Sequence, residues 1–291
     1  MTLAQLIVLV LKASIAATVF ALGLGVTPGD LRGLFRRPGL LARSLVSMFI
    51  VMLVASVVVA KVADLRRPVE IVLVCLALAP IPPLLPNKQT KAGGEASYTY
   101  GLIVAASLFA LVWIPLMVEV LARVSGQDLS APVAEILILV GAMILAPLAA
   151  GALIRRYAPQ LAARIQAPIS RLASLVLLVG LALIFIKSWR PMLAQIGDGT
   201  LAALVGFVLV GLVAGHLLGG PHREDRTALA LASACRHPGI ALSIASLNFP
   251  QEKSVLAVIL LYLIVSALLT IPYVSWRARH GRGVIAARAA P

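Results

Sequence analysis

Long apolar runs dominate the chain, at residues 3–24, 39–60, 98–118, 133–154, 172–186, 200–215 and 254–275. A helix needs about 20 apolar residues to cross a bilayer core roughly 30 Å thick, at a rise of about 1.5 Å per residue. So many runs of near that length leave no room for a sizeable water-soluble domain. Composition agrees: 61% of the 291 residues are hydrophobic and 12% charged, against about half and about a quarter in ordinary globular chains. The net charge of +14 raises the question of nucleic acid. The basic residues, however, lie scattered between apolar runs and form no patch, so no nucleic-acid partner is expected. Cys75 and Cys235 both sit inside apolar runs and imply no disulfide framework. The first run lacks a basic leader and an obvious cleavage site, so it reads as a span and not as a cleaved signal peptide. The expected class is an all-α polytopic membrane protein whose surroundings are the lipid bilayer.

Two further apolar stretches are short and interrupted. One, 69–80, runs into Ile81-Pro82-Pro83-Leu84-Leu85-Pro86; the other, 227–235, meets Arg236-His237-Pro238-Gly239 before 240–249 resumes. Counted as one crossing each, they bring the total to nine transmembrane helices, with the termini on opposite sides. Basic residues outside the spans divide 16 to 7 between the two sides, with Lys12 and Arg236 inside spans. The positive-inside rule then places the N-terminus out and the C-terminus in, with a basic cytoplasmic tail over 277–291.

A broken backbone at membrane depth frees N–H and C=O groups that lipid cannot satisfy, so it is tolerated where it lines a cavity or a site. Matching interruptions in two halves of a chain point to a transporter's binding site. Here the breaks fall in crossings three and eight, which run in opposite directions. Each crossing is preceded by two others and followed by one. The expected organisation is an inverted repeat: residues 1–125 form the first copy, broken near 80–87. A linking helix and loop follow over 126–169, and the second copy, 170–291, is broken near 236–239. The plainer alternative is that proline merely kinks two spans.

Three stretches carry a family resemblance. Residues 20–38, FALGLGVTPGDLRGLFRRP, are similar to an FGMGL-x-L-x-P-x-DF stretch followed by proline; 236–245, RHPGIALSIA, are similar to an N-S-G-L-A-x-A-x-A segment; and 147–151 read PLAAG. In this order and spacing the chain resembles the bile acid:sodium symporter (BASS) family of secondary transporters, in a nine-helix form. The resemblance implies a panel domain and a core domain, with two discontinuous helices crossing in the core. It also implies transport of an organic anion, possible coupling to sodium and no other cofactor. The family's sodium ligands look absent. A Glu and a Gln before the second crossover correspond to Ala232 and Arg236. A Ser-Asn pair in the first corresponds to Leu85 and Pro86, and a Gln on an earlier helix to Met48. Proline-rich crossovers without these ligands also resemble auxin-efflux carriers, which leaves proton-coupled or uncoupled export open.

Candidate site residues follow from chemistry at depth. Arg236 lies mid-crossing, where a charge costs at least about 2.5 kcal/mol. It reads either as an anion contact beside the half-helix starting at Pro238 and Gly239, or as a structural group, capping carbonyls at the break or pairing with Glu95. His237 is a coupling-proton or substrate candidate, with a neutral, hydrogen-bonded histidine as the plainer reading. Lys12, midway along the first span, is a second anion contact or a snorkelling lysine. Asn87, Gln89, Ser97 and Ser233 are candidate substrate contacts, and Glu95 is a coupling or counter-ion candidate. Lys88 and Lys91 read as ordinary surface charge. Pro80, Pro82, Pro83, Pro86 and Pro238 shape the two breaks. Gly206, Gly211 and Gly215 read as helix-packing positions. No metal-ligand cluster, HExxH or phosphate loop is present in the sequence, so an enzyme is not expected. A bacterial inner membrane is the expected location, with a non-transporting receptor as the alternative function.

Overall fold

The computed structural model describes residues 3–126 and 133–289; the start of the linking segment and the last two residues of the tail lie outside them. All regular structure among the described residues is helical. In chain order the helices are α1 (Leu3–Gly25), α2 (Pro28–Phe35), α3 (Pro38–Val62), α4 (Arg67–Leu78), α5 (Leu85–Lys91) and α6 (Ala96–Ser125). They continue with α7 (133–157), α8 (Pro159–Leu193), α9 (Thr200–Leu218), α10 (Arg223–Ala234), α11 (Pro238–Asn248) and α12 (Val255–Ala289). Six segments among the described residues are long and apolar enough to cross a membrane: α3, α6, α8, α9, the α10–α11 pair and α12. The protein is an integral membrane protein.

The two interrupted stretches are helices that stop and restart. α4 ends at Ala79 in an extended conformation, and α5 begins at Leu85; α10 ends at Cys235, also extended, and α11 begins at Pro238. Proline explains why the first break is tolerable. Pro80, Pro82, Pro83 and Pro86 have no N–H, so four donors that would need partners at this depth do not exist.

The helices form two layers. α1, α7 and α8 pack on one another, while α3 to α6 and α9 to α12 pack as a second body that contains both breaks. Exposure separates them. In its most apolar window α8 is 11% buried, whereas the broken pair α10–α11 is 78% buried. A helix that greasy with so little burial faces lipid; the broken helix is surrounded by protein.

Small residues set the closest approaches. A Cβ at Gly23 would stand 2.3 Å from the Leu148 carbonyl, and one at Gly151 would stand 2.3 Å from the Phe20 carbonyl, so α1 and α7 touch backbone to backbone. Gly211 and Gly215 do the same for α9 against α10, with virtual Cβ atoms 2.6 Å from Ala234 Cα and 2.5 Å from Ala230 Cα. Gly206 departs from this expectation, because nothing lies within 4 Å of its missing side chain. Gly215→Ala is therefore expected to destabilise by on the order of 1–3 kcal/mol through overpacking. Gly206→Ala is expected to be neutral or to stabilise by up to about 1 kcal/mol. Thermal melting of the two purified variants checks the contrast, and equal melting temperatures would show that the α9–α10 approach is not tight.

Candidate functional site

The two breaks meet. The His237 backbone N–H donates to the Pro80 carbonyl at 2.9 Å, joining the first break directly to the second. Each half-helix that ends there, α4 and α10, leaves carbonyls without intrahelical partners and presents the negative end of its dipole. Arg236 answers this. Its Nε donates to the Leu76 carbonyl at 3.0 Å and its Nη2 to the Ala77 carbonyl at 2.8 Å. The guanidinium also lies 5.1 Å from the centroid of the Phe49 ring, a cation–π contact in a water-poor setting. Of the two sequence readings of Arg236, the carbonyl cap describes two of its three nitrogens.

Tyr262 on α12 holds the other side of the second break. Its hydroxyl accepts from the Arg236 N–H at 2.7 Å and donates to the Ala234 carbonyl at 2.9 Å. α3 contributes through a widened, π-helical turn over Val46–Val51, the kind of local distortion common at functional sites. From that turn Ser47 bonds Ser233 at 2.8 Å and Phe49 reaches Arg236.

Beside the crossing lies a cavity of about 480 Å³ between the two layers. One wall is apolar, from Ile15 on α1 and Leu177 and Leu181 on α8; the other carries Arg236, His237 and Lys88. No acidic side chain is among the described residues that line it. Arg236 is 1% exposed and His237 3%, and each keeps one buried atom without a partner: Nη1 of the arginine and Nε2 of the histidine. The histidine tautomer follows from its other nitrogen. Nδ1 accepts the Ile240 N–H at 3.3 Å and caps α11, so the ring proton resides on Nε2. Both unpartnered atoms are thus donors, and two buried donors without acceptors are costly unless something supplies an oxygen. The same cap constrains His237 as a proton carrier, since a second ring proton would displace the Ile240 N–H.

The structure distributes the remaining candidates as follows. Pro82, Pro83, Pro238 and Gly239 line the cavity; Pro80 supplies the carbonyl of the crossing, and Pro86 is buried in the first turn of α5. Gln89 donates to the Ala228 carbonyl at 2.6 Å, which ties α5 to α10, and Asn87 is exposed. Lys12 is exposed on α1, one turn from Ile15. Ser97 and Glu95 lie near Arg37, with Glu95 3.8 Å from Arg37, so Glu95 is not the partner of Arg236. Lys88 corrects the surface-charge reading: it lines the cavity and bonds the Thr270 hydroxyl. Tyr262, Phe49 and Lys88 are the residues that sequence reasoning missed. Tyrosine and phenylalanine within apolar runs carry no marker, while Lys88 had one, its position three residues beyond Leu85 on a half-helix leaving the break.

Two broken helices crossing at depth, beside a cationic cavity between two helical layers, define a membrane transporter. The chain matches the model of the sodium bile acid symporter family over residues 13–195, and it belongs to that family. The matched stretch runs from α1 past the end of α8 and includes the first break. The family is one of transporters and not of enzymes, and it implies an organic-anion substrate in a bilayer setting. No curated protein matches the chain.

Removing the Tyr262 hydroxyl leaves the Arg236 N–H and the Ala234 carbonyl buried and unpaired. Tyr262→Phe is expected to lower stability by on the order of 2 kcal/mol or more. Melting in detergent reads this directly, and an unchanged midpoint would mean the hydroxyl is dispensable to the break.

Proposed function

We propose that the protein carries an amphipathic organic anion across the membrane by alternating access, without coupling to sodium. The observation that supports this most is the pair of buried, unpartnered donors, Arg236 Nη1 and His237 Nε2, on two residues that line a largely apolar cavity with no acidic side chain among its described lining. A carboxylate or similar oxyanion supplies the acceptor both lack, and charge-assisted hydrogen bonds of this kind are roughly twice as strong as neutral ones. The apolar wall takes the rest of the molecule. Lys88, and Lys12 one turn along α1 from the cavity wall, add positive charge to the path.

The sodium-independent part rests on the chemistry of the crossing. Sodium asks for several oxygen ligands. The positions that resemble the family's ligand sites are Met48, Leu85, Pro86, Ala232 and Arg236, none of which offers a side-chain oxygen. Arg236 also occupies the Leu76 and Ala77 carbonyls with a fixed positive charge. In this reading the arginine does permanently what a bound cation would do transiently: it neutralises the converging helix ends.

The wider frame of the proposal is nine crossings arranged as an inverted repeat. The layer of α1, α7 and α8 acts as the panel against which the broken core moves. The 16-to-7 division of basic residues supports an outside N-terminus and an inside C-terminus, and the short connections suit a bacterial inner membrane.

Thermal stabilisation of the purified protein by a panel of aliphatic and aromatic carboxylates, in sodium and in potassium, tests the reading. A ligand that binds only the folded state at 100 times its Kd stabilises by about 2.7 kcal/mol. Equal stabilisation in both salts, lost in Arg236→Ala and reduced in His237→Ala, is expected, with uptake of the same anion into proteoliposomes. Stabilisation that requires sodium would overturn the coupling assignment. Binding without transport would favour a receptor.

A further inference from the structure

Away from the cavity, three chain junctions converge on a single guanidinium. Arg37, between α2 and α3, places the same nitrogen, Nη1, 3.4 Å from Asp225 Oδ2 in the first turn of α10 and 3.8 Å from Glu95 Oε2 at the N-cap of α6. The two carboxylates therefore stand close together on one nitrogen. One arginine cannot neutralise two carboxylates, and they differ in their access to water. The Glu95 side chain is 44% exposed, while that of Asp225 is 2% exposed.

A second observation sets this apart from an ordinary surface ion pair. Asp225 Oδ1 is buried and has no hydrogen-bond partner. A buried acceptor beside a second acceptor is unfavourable, but one proton changes the sign: a protonated carboxyl on either residue donates to the other. A cavity of about 280 Å³, whose lining includes Arg37, Arg43, His222 and Asp225, lies against the buried acid and offers the proton an entrance.

We propose that Glu95 and Asp225 hold one proton between them under Arg37, so that the α2–α3 junction, the start of α6 and the start of α10 form a proton-binding site. The other charged and titratable groups around it are Arg43 on α3, Tyr98 on α6 and His222 at the N-cap of α10. Arg277 on α12 also reaches α10, but it engages Thr227 Oγ1 and the Arg223 carbonyl. His216 on α9 pairs with Tyr273, and Lys88 on α5 with Thr270. The proton joins the α1 layer's connection to the core with the first half of the broken helix α10, so its release loosens that joint. The site stands independently of the anion reading.

The sign of the linkage follows. The folded protein holds a proton that the unfolded chain, with its carboxyls apart, releases more readily, so stability is present at acid pH and falls as pH rises. The test uses the full chain in detergent with no ligand. The infrared difference spectrum is expected to show a protonated-carboxyl band lost on going from about pH 5 to about pH 8, as the linkage requires. That band is expected to be absent from both Glu95→Gln and Asp225→Asn. Over the same range the melting midpoint of the unmodified protein is expected to fall by a few degrees. Glu95→Gln, whose amide N–H replaces the O–H donor, is expected to keep the acid-pH midpoint throughout. A spectrum without the band overturns the proposal, and needs no variant to fold. So does a midpoint that rises with pH, which marks two ionised carboxylates on Arg37. A band that survives both substitutions, or a midpoint at high pH restored by magnesium, which marks a cation site, also overturns it.

Discussion

The rest of the structure depends on how two helix C-termini are satisfied inside the bilayer. α4 and α10 both stop near the middle of the molecule, and each leaves carbonyls that lipid cannot hydrogen-bond. Arg236 closes this problem from within: two of its nitrogens take the Leu76 and Ala77 carbonyls, its ring partner is Phe49, and its own N–H is held by Tyr262. Its positive charge offsets the negative ends of the two half-helices that meet there. The crossing is thereby a cationic centre, and the cavity lies beside it.

The cavity inherits its chemistry from that solution. The nitrogens of Arg236 that serve the fold leave Nη1 over, and the Nδ1 of His237 that caps α11 leaves Nε2 over. In the proposed reading, the donors offered to a ligand are what remains after the backbone has been satisfied. A substitution at Arg236 therefore acts on the fold as well as on the proposed binding, and its effect on a ligand is read against the stability of the empty protein. His237 divides more cleanly, since its cap and its free donor are on opposite ring nitrogens.

Much of this was legible along the chain because bilayer physics acts on composition. Runs of near 20 apolar residues marked the long apolar helices, and the proline cluster at 80–86 and the Arg-His-Pro-Gly sequence at 236–239 located both breaks to within a few residues. The polar stretch after the first break was less legible. Asn87, Gln89 and Ser97 were candidate substrate contacts and Glu95 a coupling or counter-ion candidate, though helical spacing does not let all of them face one site. The structure sends Gln89 to a carbonyl of α10 and Glu95 to Arg37, leaves Asn87 exposed, and turns only Lys88 into the cavity. Residues on a short half-helix point in different directions, and their destinations depend on which helix packs on each side. Asp225 was passed over for a related reason: an acid in a helix's first turn is ordinary until another chain segment brings a second carboxylate beside it.

Sequence alone determined the class of environment, the helical character, the two points where the backbone must break and the family to which the chain belongs. These follow from local rules: an apolar run of sufficient length must cross or be buried, and proline cannot donate. Only the tertiary structure decided that two nitrogens of Arg236 cap carbonyls, which lysine enters the cavity and which acids meet. Those outcomes rest on contacts between residues as much as 188 positions apart, such as Arg37 and Asp225. Contacts at that range are set by helix packing, and neither partner's immediate neighbours encode them.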